Sequence, residues 1–255
     1  MTHDAPDAAE LRVGSSALTF NLISLDEATR RVMQSDSRGW RYVITPNLHH
    51  IHLLRQQSEL FPVYAGAEML LADGWPIASM LGRVSGTNVE RVAGSDLLEA
   101  LVESPGEGRS LVLVGGEDES ALDVVQERAE LNGWKVTAEP APVAEVTDPE
   151  RRSALLDRIA SAGTGGVVVL GLGAPKQEIF AAELADRDGR GVILCLGMAI
   201  NFSAGRAARA PRWMQALRME WLHRAFQEPI RLIPRYAQDF STLIPTAFSN
   251  LRSRS

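Results

Sequence analysis

Cysteine is almost absent from this chain, which carries a single one, Cys195, in 255 residues. One thiol excludes an internal disulfide and a cysteine-based zinc site. It lies in the apolar run VILCLG (192–197), which predicts a buried strand residue. Long hydrophobic runs are missing as well. No stretch approaches the roughly 18 apolar residues of a membrane span, and the N-terminal stretch lacks the apolar segment of a signal peptide. The expectation is a cytoplasmic protein whose membrane contact is peripheral, on the inner face of the cell membrane. Lysine is absent from residues 205–255, although nine arginines stand there.

That last absence marks a charge division. Residues 205–255 hold three acidic residues against the nine arginines, a balance of +6, while the whole chain is −6, so residues 1–204 carry −12. A basic tail on an acidic body points to an anionic partner for the tail. Within the tail, Trp213, Met214, Leu217, Trp221, Leu222, Ala225 and Phe226 recur at helical spacing, which predicts an amphipathic helix over Arg212–Glu228. Pro211 stands where a helix can start and Pro229 is expected to stop it. Tryptophan and arginine together suit a lipid interface, where guanidinium groups pair with phosphate. The same pattern also suits a helix docking on its own acidic body. Nucleic acid is not an expected partner, because the body is acidic and the cations sit in one segment.

At 45% hydrophobic, the chain can bury a full core. Three regions are expected: a loose leader over 1–14, an α/β domain over 15–204, and a basic, membrane-proximal appendage over 205–255. Short β-type runs are legible at Arg41–Thr45, Met69–Ala72, Ser110–Val114, Trp134–Ala138, Val167–Leu170 and Gly191–Leu196. Helical patterns alternate with them, at Leu25–Ser37 (capped by Ser24), after Leu48, from Pro76 to about Leu81, and over Glu119–Leu131 and Pro149–Ala162, with another from Pro175. Continuous apolar runs alternating with helices predict a Rossmann-like, mostly parallel sheet covered on both faces.

Ligands of such folds sit at the carboxyl ends of the strands. The residues there are Thr45-Pro46-Asn47, Asp73-Gly74, Gly115-Gly116, Gly171–Glu178 and Gly197–Asn201. The run Gly171-Leu172-Gly173-Ala174-Pro175-Lys176-Gln177-Glu178 is a glycine turn entering a helix, whose free N–H groups suit an anion, with Lys176 adding charge. It matches neither a dinucleotide fingerprint nor a Walker loop, and a plain tight turn has the same pattern. Asp73 is placed to act as a base, although Asp-Gly is also ordinary turn chemistry. Thr45 and Asn47 suit hydrogen bonds to a hydroxyl-rich ligand, and Asn47 equally suits a helix cap. Arg91 suits a phosphate, or an ion pair with Glu90 or Asp96. His49, His50 and His52 place at most two imidazoles on one helical face with no acid nearby, so no metal is expected.

The segments TPN (45–47), ADG (72–74), ERVAGSD (90–96), GLGAPKQE (171–178), AGRAARAPRW (204–213) and EWLHRAFQEPIRLIPRY (220–236), in that order, resemble the WecG/TagA/CpsF family of bacterial glycosyltransferases. The resemblance runs from about Phe20 to Arg235. It implies a metal-independent, inverting transfer of a hexose, of the N-acetylmannosamine kind, from a UDP-sugar to a polyprenyl-diphosphate-linked sugar, with no cofactor. Asp73 matches the family's proposed base, and Thr45, Asn47 and Gln177 match polar residues around the sugars. Arg91 matches an arginine of the site, and Arg224, Arg231 and Arg235 match appendage arginines that meet diphosphate. Gly171, Gly173, Ala174, Pro175, Lys176 and Glu178 are the expected substrate-binding turn. Asn201 departs from the family, which usually has Asp there. Alternatives that stay open are the same chemistry on a soluble acceptor, a non-catalytic nucleotide-binding or membrane scaffold, and a homo-oligomer as the working form.

Overall fold

The computed structural model describes residues 6–34, 39–116, 119–205, 214 and 229–251. The loose leader expected over 1–14 is corrected first. Residues Ala8–Val13 (β1) pair antiparallel with Ser16–Asn21 (β2). Alternation drives the pairing, since Leu11 and Val13 turn inward on β1 and Leu18 and Phe20 on β2, all buried. Gly14, at φ +65°, takes the first central position of the two-residue turn, where a positive φ matches the strand twist. Ala, Pro and Asp in the first seven residues masked this short alternation.

The main sheet is parallel throughout, as the continuous apolar runs predicted. Its strands are β3 (Trp40–Ile44), β4 (Met69–Leu70), β5 (Ser110–Gly115), β6 (Lys135–Glu139), β7 (Gly166–Gly171) and β8 (Gly191–Cys195). Their order is β4-β3-β8-β7-β5-β6. β8 lies between β3 and β7, with Ile44 opposite Cys195 and Leu170 opposite Cys195 on the other side.

Helices cover both faces. On one, α2 (Leu48–Gln56), α3 (Phe61–Ala65), α4 (Trp75–Ser85), α7 (Val143–Thr147), α8 (Pro149–Gly163) and α9 (Lys176–Ala185) pack with the hairpin over Tyr42, Ile44, Val112, Val168, Leu170 and Ile193. On the other, α1 (Leu25–Met33), α5 (Gly94–Glu103), α6 (Glu119–Leu131) and α10 (Ala199–Ser203) cover Val43, Leu111, Leu113, Val169 and Leu194. Each such side chain contributes about 1.5–3 kcal/mol by leaving water, so the two clusters dominate the fold's stability. Ser24 caps α1 as expected, its hydroxyl accepting from the Glu27 N–H at 3.2 Å.

The tail contributes α11 (Pro229–Leu251), a helix that sequence reading placed no element on. Pro234 and Pro245 lie inside it, and each lacks the N–H that the helical ladder uses. The amphipathic helix expected over Arg212–Glu228 lies outside the described residues, Met214 excepted. Helix α11 packs on α2, β1 and α4, and its buried face is mostly polar, with Leu232 buried and Leu243 and Ala247 against the core beside it. Asp239, Thr242, Thr246 and Asn250 are buried, spaced along one face. His49 Nδ1 is 2.9 Å from Asp239 Oδ1, and His52 Nδ1 is 2.8 Å from Thr242 Oγ1. Asn250 fastens the far end, since its Oδ1 accepts from the Arg12 N–H at 2.8 Å and its Nδ2 donates to the Arg12 carbonyl at 2.9 Å. An amide here does what a neighbouring strand would do for β1.

Asn250→Ala leaves both backbone groups of Arg12 without their partner, at a cost of about 1–3 kcal/mol. Urea unfolding should show that loss, and hydrogen exchange at the Arg12 amide should accelerate. Unchanged exchange would mean that the clasp does not hold α11 to β1.

Candidate functional site

The carboxyl ends of β4, β3, β8 and β7 open into one cleft of about 1060 Å³. The ladder hydrogen bonds continue past the strands and fix the loops around it. Leu71 N–H donates to the Ile44 carbonyl at 3.0 Å, Asp73 N–H to the Pro46 carbonyl at 3.0 Å, Val92 N–H to the Ala72 carbonyl at 2.9 Å, and Leu196 N–H to the Leu170 carbonyl at 3.1 Å. These bonds bring Asp73 beside the Thr45–Asn47 turn. Gly74, with φ +87°, then turns the chain into α4.

Of the residues singled out from the sequence, Thr45, Asn47, Asp73, Arg91, Gly171, Gly173, Ala174, Gln177 and Arg235 line this cleft. Thr45 is buried, and its hydroxyl donates to the Cys195 carbonyl at 3.4 Å. Asn47 caps α2, its Oδ1 accepting from the His49 N–H at 3.0 Å, so the cap and the cleft wall are the same side chain. Arg91 Nη2 lies 3.2 Å from Asp96 Oδ2, the second of the two partners considered for it. Gln177 is buried with its Oε1 accepting from the Gly197 N–H at 2.9 Å. Arg235 Nε stands 3.8 Å from Asp239 Oδ2 one turn along α11.

Other expected residues fall elsewhere. Pro175 and Lys176 are not among the residues lining the cleft, and Lys176 is exposed. Glu178 is fully buried behind the wall. Arg224 lies outside the described residues, and of Arg231 the structure describes only the helical backbone. Asn201 is buried, with Nδ2 3.4 Å from Met198 Sδ, and does not line the cleft. Gly115 and Gly116, at the end of β5, also lie off it. Each of the three histidines meets a protein partner, His50 through Asn47 and Glu178.

Three helices of ten residues or more, α4, α5 and α9, begin at the cleft without a side-chain cap. No side chain occupies these helix starts, although the Gln177 N–H donates to the Gly173 carbonyl at 3.1 Å and the Asp96 N–H to the Ala93 carbonyl at 3.0 Å, and the helix dipoles favour an anion there. By contrast Ser24 and Asp148 cap α1 and α8 away from the cleft. Gly173 has φ +75°, and a Cβ built on it would meet nothing within 4 Å, so the turn before α9 faces open space. The peptide bond Ala174–Pro175 in that turn is cis. Burial pushes the Cys195 thiol and the Tyr64 hydroxyl well above their ordinary ranges, with the Glu178 carboxyl adding to both.

These features together form an anion-receptive cleft with a carboxylate, amides and arginines on its walls, at the edge where α/β folds bind ligands. A family profile, that of the glycosyl transferase WecG/TagA/CpsF family, matches residues 15–255. The chain belongs to this family. It is thus a glycosyltransferase of cell-surface polysaccharide synthesis. The match covers nearly the whole chain, including β2, the sheet and α11.

Sequence reading missed several residues of this glycosyltransferase cleft. His50, Ser95, Asp96, Leu232, Tyr236, Asp239 and Phe240 all line it. A signal for His50 was present, because Asn47 and His50 stand at the N-cap to N3 spacing of a capping box. No comparable signal marked α11, whose two prolines argue against a helix.

Gly94 opens α5 against the site, where a Cβ would lie 3.1 Å from Thr45 Oγ1 and 3.2 Å from the Leu196 carbonyl. Gly94→Val must push α5 away from the ends of β3 and β8, a strain of about 1–3 kcal/mol. Chemical unfolding should register that loss, and glycosyl transfer should fall further than the lost stability explains. Full transfer by the variant would show that this close approach does not shape the cleft.

Proposed function

We propose that the chain is an inverting glycosyltransferase that moves a hexose, N-acetylmannosamine or a close relative, from a UDP-sugar to a polyprenyl-diphosphate-linked sugar at the inner face of the cell membrane. The observation that carries this reading is the meeting of Asp73, Thr45, Asn47, Arg91, Gln177 and Arg235 on one cleft, from segments spread over most of the chain. Glycosyl transfer needs a base for the acceptor hydroxyl and positive or dipolar groups for the departing diphosphate. Asp73 serves as the base. The turn at Gly171–Ala174, the uncapped start of α9 and the cleft arginines neutralise UDP, so the reading assigns that work to the chain itself and not to a metal. Gly173 favours close approach of phosphate, because its Cβ-free face is open. Arg224 and Arg231 join Arg235 over the diphosphate in this reading. A cleft of this volume has room for donor and acceptor head groups together.

The lipid-linked acceptor draws support from α11. Asp239, Thr242, Thr246 and Asn250 are buried while Ile230, Ile233, Ile244 and Phe248 are exposed, at 93, 57, 64 and 62%. An apolar face turned outward beside a cleft, on a segment of net charge +6, suits an anionic bilayer surface. No described helix is long and apolar enough to cross a membrane, so the contact is interfacial in this reading. Residues 205–255 then act as a membrane-proximal appendage to the domain over 15–204. A soluble acceptor is the second reading. It is favoured by the hydrogen bonds that dock α11 on the body through His49, His52 and Arg12.

Asp73→Asn keeps the shape but cannot take a proton, so turnover should fall by about 10²-fold or more while UDP binding persists. Near-normal UDP release from a UDP-sugar and a short polyprenyl-diphosphate acceptor would remove Asp73 from the mechanism. For the membrane, the triple variant Ile233→Ser, Ile244→Ser, Phe248→Ser should keep its melting temperature and lose co-sedimentation with anionic vesicles. Binding should also weaken with salt, since each basic residue near the surface contributes about 1 kcal/mol. Undiminished sedimentation of the variant would remove this face from the membrane contact, and a wild type that does not sediment would favour the soluble acceptor.

A further inference from the structure

Behind the cleft wall runs a buried chain of hydrogen bonds that the chemistry above leaves without a role. At its centre is Glu178, fully buried in the first turn of α9. Its Oε1 accepts from Gln177 Nε2 at 2.8 Å and lies 3.3 Å from His50 Nε2. With the His50 proton on Nε2 toward Glu178, its Nδ1 accepts from the Asn47 backbone N–H at 3.2 Å, beside Asn47 Oδ1 at 2.9 Å. One carboxyl therefore links the two amide side chains that face the cleft from α9 and α2.

Both amides have a determined orientation. A backbone N–H can only donate, so the Gly197 N–H identifies the oxygen end of Gln177 and the His49 N–H that of Asn47. One N–H of Gln177 goes to Glu178. What remains for the cleft is the second N–H of Gln177 and the amide NH2 of Asn47, neither hydrogen-bonded among the described residues, and both residues line the cleft. Stability does not account for Glu178. Burying a carboxyl is costly, its Oε2 lacks a hydrogen-bond partner among the described residues, and so does the buried Tyr64 hydroxyl.

We propose that Glu178 is a positioning residue that acts directly on Gln177 and, through His50, on Asn47, turning two amide N–H donors into the cleft. The ligand atoms they meet are acceptor oxygens, of the kind carried by a diphosphate or by the acyl and hydroxyl groups of a sugar. The identity of that ligand rests on the proposed UDP-sugar reading; the orientation of the amides does not.

The test uses the full chain and three variants. Glu178→Gln keeps an acceptor oxygen for Gln177 and His50 and should retain most of the turnover. Glu178→Leu removes it and leaves two buried donors unpaired, so its melting temperature should fall, and kcat/KM measured well below that temperature should fall about tenfold, the equivalent of one lost hydrogen bond to a charged or polar ligand. The double variant Gln177→Glu with Glu178→Gln rebuilds the buried chain. The carboxylate now at position 177 accepts from the Gly197 N–H and from the new amide at 178, but offers no N–H to the cleft. This variant should fold like the wild type and still lose about tenfold in ligand affinity. A loss seen with UDP alone assigns the donors to diphosphate oxygens, and a loss seen only with UDP-sugars assigns them to the sugar. Wild-type affinity and turnover in the double variant would overturn the proposal.

A ligand-free measurement separates this inference from the function it rests on. In ¹⁵N spectra of the wild type, the side-chain amide signals of Asn47 and Gln177 should both move on Glu178→Leu, Asn47 through His50. If Asn47 does not respond, the positioning role is wrong whatever the enzyme transfers. If the wild type binds no UDP and both amides respond, the positioning stands and the donor assignment falls.

Discussion

Every feature of the cleft rests on the continuation of the parallel ladder beyond the last paired residues of β4, β3, β8 and β7. Four backbone hydrogen bonds, from Leu71, Asp73, Val92 and Leu196, carry strand register into the loops. A carboxylate on one loop and an amide on the next are then held with the precision of a sheet, as a site needs if its groups are to meet a substrate without reorganising. The same constraint explains the small residues there. Gly94 and Gly171 sit where a Cβ would press on Thr45, on the Leu196 and Gly197 carbonyls or on Ile200, so the α5 start and the β7 turn can close on the strand ends only as glycine.

That edge also separates two uses of helix N-termini. Where a helix starts away from the cleft, as α1 and α8 do, a side chain caps it and its N–H groups are satisfied locally. Three long helices that start at the cleft, α4, α5 and α9, have no such cap, and the positive ends of their dipoles border it. Helix α2 is the exception that couples the two. Asn47 caps it and forms part of the wall, and His50 completes the capping box while touching Glu178 on α9. Capping a helix and orienting a ligand-facing amide are here one set of hydrogen bonds.

Helix α11 departs from the usual polarity of a surface helix, which buries its apolar stripe, because Leu232, Leu243 and Ala247 share the inward side with a row of polar residues. It meets the body through Asp239, Thr242, Thr246 and Asn250 and turns Ile233, Ile244 and Phe248 outward. Polar docking contributes less than apolar burial of the same area, because each protein hydrogen bond replaces one with water. The outward face carries the larger unspent hydrophobic term, which makes the helix sensitive to what lies outside the protein.

The sheet was legible from the sequence because buried parallel strands are continuous β-branched and leucine runs, and each of the six runs read that way became a strand within one or two residues at either end. The strand-end residues Thr45, Asn47, Asp73 and Gln177 were legible for the same reason, since position after a strand predicts the ligand edge. Resemblance in ordered motifs extended that reading to a family, and the profile match agrees with it. The hairpin was hidden by a polar leader, and α11 by Pro234 and Pro245, because local propensity argues against both and tertiary partners outweigh it: Leu18 and Phe20 for the one, His49, His52 and Arg12 for the other. Sequence by itself determined the parallel α/β class, the strand ends and the charge of the tail, all of which follow from the order of residue types along the chain. Only the tertiary structure decided that Glu178 lies behind the wall, that His50 joins it to Asn47, and that α11 docks by a mostly polar face, because each depends on which atoms, distant in the chain, come within about 3 Å of one another.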